Sequence, residues 1–176
     1  MKINLRTETS DDLKAVKEIL IAAFKDDPHG DQTEHLLVNR LRKSEAFVPQ
    51  LSIVAEADNK IVGHILFTRI KITDGSQVHE SLALAPVSVA PEWQGKGIGG
   101  QLIKEGHQRA INLGFKSVIL LGHAGYYPRF GYRRASDFNI RLPFEVPDEN
   151  SMAIELVEKG LSGVNGTVEY DKVFFE

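Results

Sequence analysis

The sequence predicts a single mixed α/β domain over residues 1–176, in which helices flank a mostly antiparallel sheet. Residues 52–90 contain three β-rich runs joined by tight turns, as expected of antiparallel neighbours. Residues 81–121 then follow the order strand, glycine-rich loop, helix, strand. This is a βαβ unit, so its two strands should be parallel.

The first 45 residues predict a short strand followed by two amphipathic helices. Residues 3–6 alternate, and Thr9 or Ser10 is placed to cap a helix whose first turn carries Asp11 and Asp12. A second amphipathic stretch covers residues 36–41. The apolar stripe of the first helix comprises Leu13, Val16, Leu20, Ala23 and Phe24.

The remaining elements follow from turns, glycines and apolar runs. The three β-rich runs are residues 52–57, 60–72 and 81–90, with a turn at Asp58-Asn59. A helical stripe begins at Ile98 and ends before Gly114, and the apolar run 117–121 predicts a strand buried on both faces. Residues 126–130 predict one or two helical turns. Two further β-rich segments lie at 138–142 and 167–174.

Composition excludes several classes of function. A net charge of -3 over 176 residues gives no reason to expect nucleic acid or an anionic membrane as partner. The chain has no cysteine, which excludes disulfides, thiolate metal sites and a cysteine nucleophile. No apolar run reaches the ~18 residues of a membrane span. We therefore expect a cytoplasmic protein without a membrane partner.

The stretch from Gln94 to Gly100 matches two phosphate-binding patterns. Gly95, Gly97 and Gly100 fit G-x-G-x-x-G, whereas Gln94, Gly97 and Gly99 fit Q-x-x-G-x-G. Both patterns place a phosphate on a helix N-terminus.

The surroundings of this stretch disfavour a dinucleotide. A dinucleotide fold needs an acidic residue about 20 positions on, at the end of the next strand. No acidic residue occurs between Glu105 and Asp137, and an antiparallel meander precedes the unit. The P-loop pattern is also missing from the sequence.

Two segments carry a resemblance to a known family. Val87-Ser88-Val89 followed by residues 91–99 resembles motif A of the GNAT superfamily of N-acetyltransferases, and residues 127–132 (YPRFGY) resemble its Y-x-x-x-G-[FY] element. The resemblance covers residues 3 to about 134. It implies a GNAT fold with about seven strands and one splayed parallel pair. It also implies acetyl-CoA as cosubstrate, no metal, and an amine acceptor.

The resemblance implies where CoA binds. Backbone N–H groups from Gln94 through Gly99 would cradle the pyrophosphate, with Lys96 at the rim, and the strand ending at Val89 would pair with the pantetheine arm. An N–H near Val89 would stabilise the oxyanion. The predicted cofactor-binding residues are Val87, Ser88, Val89, Gln94, Gly95, Lys96, Gly97, Ile98, Gly99 and Gly100.

The family's spacing places Tyr127 as the catalytic acid that protonates the leaving thiolate, with Tyr126 facing the core. A packing role for Tyr127 is the alternative. The predicted activity is acetyl transfer to a primary amine of an unidentified acceptor, which is a small molecule or a peptide. A non-catalytic acyl-CoA-binding regulator is the rival interpretation, and a homodimer is possible.

Other residues leave questions open. The general base is unassigned among Glu80, His79, His64 and a water chain. Many family members have an asparagine after the fifth strand, where this chain has Gly122-His123-Ala124, so His123 or a backbone group would replace it.

The loop at residues 26–31 is acidic and would attract a cationic amine. Its aspartates, with His29 and His35, match no metal-ligand pattern. The segment after Leu142 would close the substrate groove or form a dimer edge.

Overall fold

The computed structural model describes residues 2–28 and 32–176, and in these ranges three α-helices lie against a nine-stranded sheet. The sheet order is β1-β2-β3-β4-β5-β8-β6, with β9 beside β3 and β7 beside β9. The helices are α1 (Leu13–Phe24), α2 (Glu34–Arg42) and α3 (Ile98–Asn112). The strands are β1 (Asn4–Thr7), β2 (Phe47–Ala57), β3 (Lys60–Asp74), β4 (Gln77–Val89), β5 (Ser117–Leu121), β6 (Arg133–Arg134), β7 (Ile140–Arg141), β8 (Ser151–Glu155) and β9 (Gly166–Glu169).

The predicted mixed, mostly antiparallel sheet is confirmed. Strands β1 to β4 form the antiparallel meander, and the β2–β3 turn is the one predicted. Asp58 and Asn59 both have positive φ angles there, 51° and 63°, a backbone geometry that matches the twist of a hairpin. Within the described ranges, no helix is long and apolar enough to cross a membrane.

Strands β4 and β5 are parallel but separate almost at once. They pair only at Leu82 with Val118 and at Ala83 with Ile119. On the other side of β4, Val87 lies opposite Ile65 whereas Leu84 lies opposite Phe67, so β4 carries one extra residue. This bulge falls at residues 85–86, where proline, having no N–H, is tolerated. Beyond it, one edge of β4 faces an opening.

Helix α3 packs close to the sheet through a glycine. A Cβ on Gly106 would lie 2.1 Å from Cε1 of the buried Phe67, so only glycine allows this approach. Leu102, Ile103 and Ala110 bury the same helix face against the sheet. The N-terminus of α3 is thereby fixed beside the end of β4.

The C-terminal third differs from its prediction. The predicted strand at 138–142 shrinks to β7, because residues 135–138 form a 3-10 turn. The predicted strand at 167–174 ends at Glu169, and Lys172–Phe175 is a 3-10 helix in which the Asp171 carboxylate accepts from the Val173 N–H. Capping by Asp171 favours the turn over continued alternation. Strands β6 and β8 were not predicted.

Substituting Gly106 tests how closely α3 must approach the sheet. We expect Gly106→Ala to lower the free energy of unfolding by about 1–3 kcal/mol, because the added methyl collides with the Phe67 ring. Urea denaturation measures the change. Gln108→Ala, at an exposed position on the same helix, should stay within about 0.5 kcal/mol of wild type. Equal midpoints for Gly106→Ala and wild type would contradict this packing.

Candidate active site

A cavity of about 550 Å³ lies at the N-terminus of α3. It includes seven of the ten predicted cofactor-binding residues, but not Val87, Ser88 or Lys96. Its lining residues are Val89, Trp93, Gln94, Gly95, Gly97, Ile98, Gly99, Gly100, Gln101, Lys104, Tyr126, Arg129 and Phe130.

The glycine loop points backbone donors into this cavity. Gly95 and Gly97 have φ angles of 78° and 82°, which side chains rarely adopt, and Gly97 is the N-cap of α3. The N–H groups of Ile98, Gly99 and Gly100 have no acceptor within the helix, as in any first helical turn. Together with the positive end of the helix dipole, they favour an anion.

Gln94 plays a different part from the one predicted. Its backbone N–H donates to the Pro91 carbonyl at 3.3 Å, so it is engaged within the preceding turn. Its side-chain Nε2 donates to the Val89 carbonyl at 3.0 Å. Gln94 therefore ties the loop to the end of β4, and the prediction that its N–H joins the cradle is wrong.

Two cationic side chains line the cavity. Lys104 lies one helical turn beyond Gly100, and Arg129 sits with its guanidinium 4.8 Å from the centre of the Tyr126 ring. Arg129 Nε also donates to the Tyr126 carbonyl at 2.9 Å. Neither residue was predicted, although Lys104 lies four residues after Gly100, a predicted cofactor-binding residue. They give the cavity a positive wall.

The strand segment 87–89 is paired on one edge only. Val87, Ser88 and Val89 lie opposite Ile65, His64 and Gly63 of β3. Their other edge faces the opening left by β5. Val89 lines the cavity, whereas the Ser88 side chain is buried.

The two adjacent tyrosines differ in burial and in what they contact. Tyr126 lines the cavity, and its hydroxyl lies 3.1 Å from the position a Cβ would take on Gly99. Tyr127 belongs to the buried core, with its ring against Gly122 at the end of β5. Tyr126 is partly buried against the same core, so it contacts the core as expected and the cavity as well. Burial raises the pKa of Tyr127 to about 12, so its hydroxyl stays protonated near neutrality.

The turn after β5 is held by Asn150, which was not among the predicted site residues. Asn150 Nδ2 donates to the Gly122 carbonyl at 2.9 Å, and the Gly122 N–H donates to the Asn150 carbonyl at 2.9 Å. The backbone of Gly122 is therefore engaged within the protein. His123 is exposed and lines a separate cavity.

That second cavity, of about 440 Å³, contains part of the predicted acidic loop. Asp26 and Asp27 line it together with Gln94 and His123. His29 and Asp31 lie outside the described residues. Within residues 2–28 and 32–176, no three His, Asp or Glu side chains are grouped to hold a metal ion.

The candidate bases are scattered. Glu80 and His79 lie seven and eight residues before Val87 on β4, roughly 23–26 Å away at a rise of about 3.3 Å per residue. His64 is fully buried, and its Nε2 lies 2.9 Å from Ser52 Oγ, which itself donates to Glu8. Since Ser52 uses its proton on Glu8, Nε2 of His64 must be the donor.

Burial lowers the pKa of His64 from 6.5 to about 4. The Glu8 carboxylate opposes this shift, and the Arg42 guanidinium adds to it. His64 is therefore a neutral structural residue at neutral pH.

The chain is similar to known acetyltransferases in sequence and fold. Residues 49–134 match the family model described as an acetyltransferase (GNAT) domain. Over 140 residues the chain is 38% identical to the uncharacterised N-acetyltransferase YjhQ of Escherichia coli K12, covering 79% of this chain and 75% of YjhQ.

Two solved structures share the whole fold. The E. coli GNAT family N-acetyltransferase YhbS in complex with CoA is 25% identical, with a TM-score of 0.90 over 100% of this chain and 93% of YhbS. A GNAT family acetyltransferase from Brucella melitensis in complex with acetyl-CoA is 31% identical, with a TM-score of 0.81 over 98% of both chains.

The burial of His64 predicts an acid-sensitive fold. Below pH 6.5 the unfolded chain protonates this histidine while the folded one does not until about pH 4, so stability falls as the pH drops through this window. We expect His64→Gln to flatten the pH dependence of the unfolding free energy by up to about 3 kcal/mol. Urea titrations at pH 4.5 and 7 measure it. Parallel pH profiles for the two proteins would contradict the prediction.

Proposed function

Because the chain belongs to the GNAT family of N-acetyltransferases, we propose that it transfers an acetyl group from acetyl-CoA to a primary amine by direct attack on the thioester. One observation carries this proposal: a donor-rich helix N-terminus lies at the end of an unpaired strand edge. The similar structures of YhbS and the Brucella protein, which contain CoA and acetyl-CoA, support it.

The residues of the larger cavity fit the CoA pyrophosphate. The N–H groups of Ile98, Gly99 and Gly100 supply donors, and Lys104 and Arg129 supply positive charge. Lys96 is exposed on the loop and adds charge from outside the cavity. CoA does not require the acidic residue that a dinucleotide site has at the end of the next strand and that this sequence lacks.

The strand segment 87–89 is suited to the pantetheine arm. An extended arm with amide groups can pair with a free strand edge as an added strand does. On this proposal the arm runs from the cradle past Val89 towards Val87, and a backbone N–H near Val89 stabilises the developing oxyanion. The Gln94–Val89 hydrogen bond fixes the start of this path.

In the reaction, the amine nitrogen bonds to the thioester carbonyl carbon as the carbon–sulfur bond breaks. The leaving thiolate takes up one proton, and the amine loses one to solvent. We assign the donated proton to the Tyr127 hydroxyl, which is protonated near neutrality and regains a proton from solvent after the thiol has formed. The Tyr127 ring packs against Gly122, the residue that follows β5, and this neighbourhood supports the assignment.

No dedicated base is included in this proposal. His79 and Glu80 lie far along β4 from the strand opening, and burial leaves His64 only weakly basic. Asp26 and Asp27, in the cavity beside Gln94, would attract a cationic amine from solution. Neutralising both aspartates should then raise the acceptor's KM without changing the KM for acetyl-CoA.

Release of CoA in the presence of a primary-amine panel tests the activity directly. A thiol reagent reads CoA alone, since the chain contains no cysteine. We expect amine-dependent release by the wild type. Acetyl-CoA binding without release from any amine would contradict the proposed activity and favour the regulatory interpretation.

Two substitutions of Gly97 test the cradle. A Cβ here meets no protein atom within 4 Å, so Gly97→Ala adds about 1–2 kcal/mol of backbone strain but no collision. Asparagine tolerates the left-handed conformation better than alanine does, so Gly97→Asn adds a side chain with less strain. If phosphate approaches the backbone closely, both variants should raise the KM for acetyl-CoA roughly 10-fold, about 1.4 kcal/mol. A wild-type KM for Gly97→Asn would mean that Gly97 serves only the loop conformation.

Substituting the adjacent residues Tyr126 and Tyr127 one at a time distinguishes proton donation from acetyl-CoA binding. We expect Tyr127→Phe to lower kcat about 100-fold and leave the KM for acetyl-CoA unchanged, because only the proton donor is lost. The matched variant Tyr126→Phe removes the hydroxyl that faces the cavity and should mainly raise that KM. Steady-state kinetics distinguish the two. A wild-type kcat for Tyr127→Phe would remove Tyr127 from the mechanism.

A further inference from the structure

A third cavity, of about 270 Å³, opens where β4 and β5 separate. Its floor is the pair of strands just beyond their last hydrogen-bonded residues, and its wall is formed by aromatic residues from the C-terminal third. The lining consists of residues 83–85, residues 119–121, Phe144, Tyr170, Phe174 and Phe175.

The lining is almost wholly apolar, and part of it is exposed. Tyr170 supplies the one polar side chain among the ten lining residues. Leu121, Phe144 and Phe175 are 48%, 40% and 64% exposed, which brings three large apolar side chains to the surface at one place. Clustered exposed apolar side chains are a feature of ligand-binding grooves and interaction sites.

The aromatic wall is held in place before any ligand arrives. Phe144 stacks on Tyr170 with ring centres 5.9 Å apart, and Phe174 lies 4.9 Å from the same ring. The turn that carries Phe174 is tied to α2, since Arg40 Nε donates to the Val173 carbonyl at 3.2 Å. A preformed apolar pocket of this kind suits a small molecule.

The position of the cavity links it to the proposed chemistry. Its lining includes Ala85, two residues before Val87, so the cavity lies at the end of the strand edge assigned to the pantetheine arm. A group bound there sits next to the reacting end of that arm, on the far side from the cradle.

We propose that the acceptor is a small primary amine carrying one compact aromatic group, an arylalkylamine, whose ring occupies this cavity. The proposal rests on the proposed acetyltransferase activity. A cavity of about 150 Å³ lined by apolar side chains holds benzene, so 270 Å³ accommodates one ring and a short alkyl link.

Apolar surroundings also favour the reactive form of the amine. Desolvation lowers the pKa of an ammonium group, because the charged form loses its hydration. An amine delivered by a ring in this cavity would therefore lose its proton more readily than it does in water. This explains how the amine can lose its proton although no dedicated base lies beside the strand opening.

The test compares 2-phenylethylamine with 1,4-diaminobutane as acceptors in the CoA-release assay. We expect kcat/KM to favour 2-phenylethylamine by roughly 10- to 100-fold, as burial of one ring predicts. Ala85→Leu fills the cavity and Phe175→Ala removes part of its wall, so both should reduce this ratio about 10-fold. Leu113→Ala, an exposed apolar position at the C-terminal end of α3, should leave the ratio at its wild-type value.

The possible results distinguish a failure of the aromatic-acceptor proposal from a failure of the proposed acetyltransferase activity. Release of CoA with 1,4-diaminobutane at equal or greater kcat/KM would overturn the aromatic acceptor and leave the acetyltransferase activity standing. If no amine releases CoA, binding of 2-phenylethylamine to the CoA-bound wild type is measured by calorimetry. Absence of a heat of binding would overturn the proposal that this cavity holds an aromatic ring. The same heat with Ala85→Leu as with the wild type would overturn it too.

Sedimentation tests whether a second copy of the chain, and not a small molecule, occupies this surface. A wild-type dimer that Phe175→Ala converts to a monomer, with the substrate ratio unchanged, would assign the aromatic patch to a second copy of the chain and overturn the proposal. A sedimentation profile that is the same for both proteins, with the ratio reduced, supports it.

Discussion

The separation of β4 from β5 is the constraint on which the rest of the site depends. Two parallel strands that pair at only two positions leave backbone groups exposed at the centre of a sheet, where they would normally be satisfied. The extra residue in β4 near Pro86 bends the strand away from its neighbour. The opening is thus built into the backbone, and residues of β4, β5 and the segments that follow them line cavities beside it.

The opening persists because both of its sides are anchored elsewhere. Strand β4 is paired with β3 along nearly its whole length, and β5 is paired with β8 over five residues. Asn150 holds the turn that follows β5 through both backbone groups of Gly122. Helix α3, packed closely through Gly106, then sets its N-terminus at the end of β4. A donor-rich helix end and a free strand edge are therefore continuous.

The sequence was most informative where the determinants are local. The glycines of the loop and the apolar run of β5 report backbone conformation and burial directly, and residues 117–121 form the predicted strand. Tyr126 and Tyr127 are adjacent and equally aromatic, so only tertiary packing decides which faces the cavity. The aromatic wall depends on a C-terminal turn capped by Asp171, where alternation had suggested a longer strand. Lys104 and Arg129 are far apart in the sequence, and only folding brings both to the wall of the same cavity.

Hydrogen–deuterium exchange on ligand binding tests the central claim most directly. CoA should slow exchange at residues 98–100 and at residues 87–89, since its phosphates and its arm contact different segments. ADP, which has the pyrophosphate but no arm, should slow exchange at residues 98–100 alone. Protection of residues 87–89 by both ligands, or by neither, would contradict a strand edge that binds the pantetheine arm.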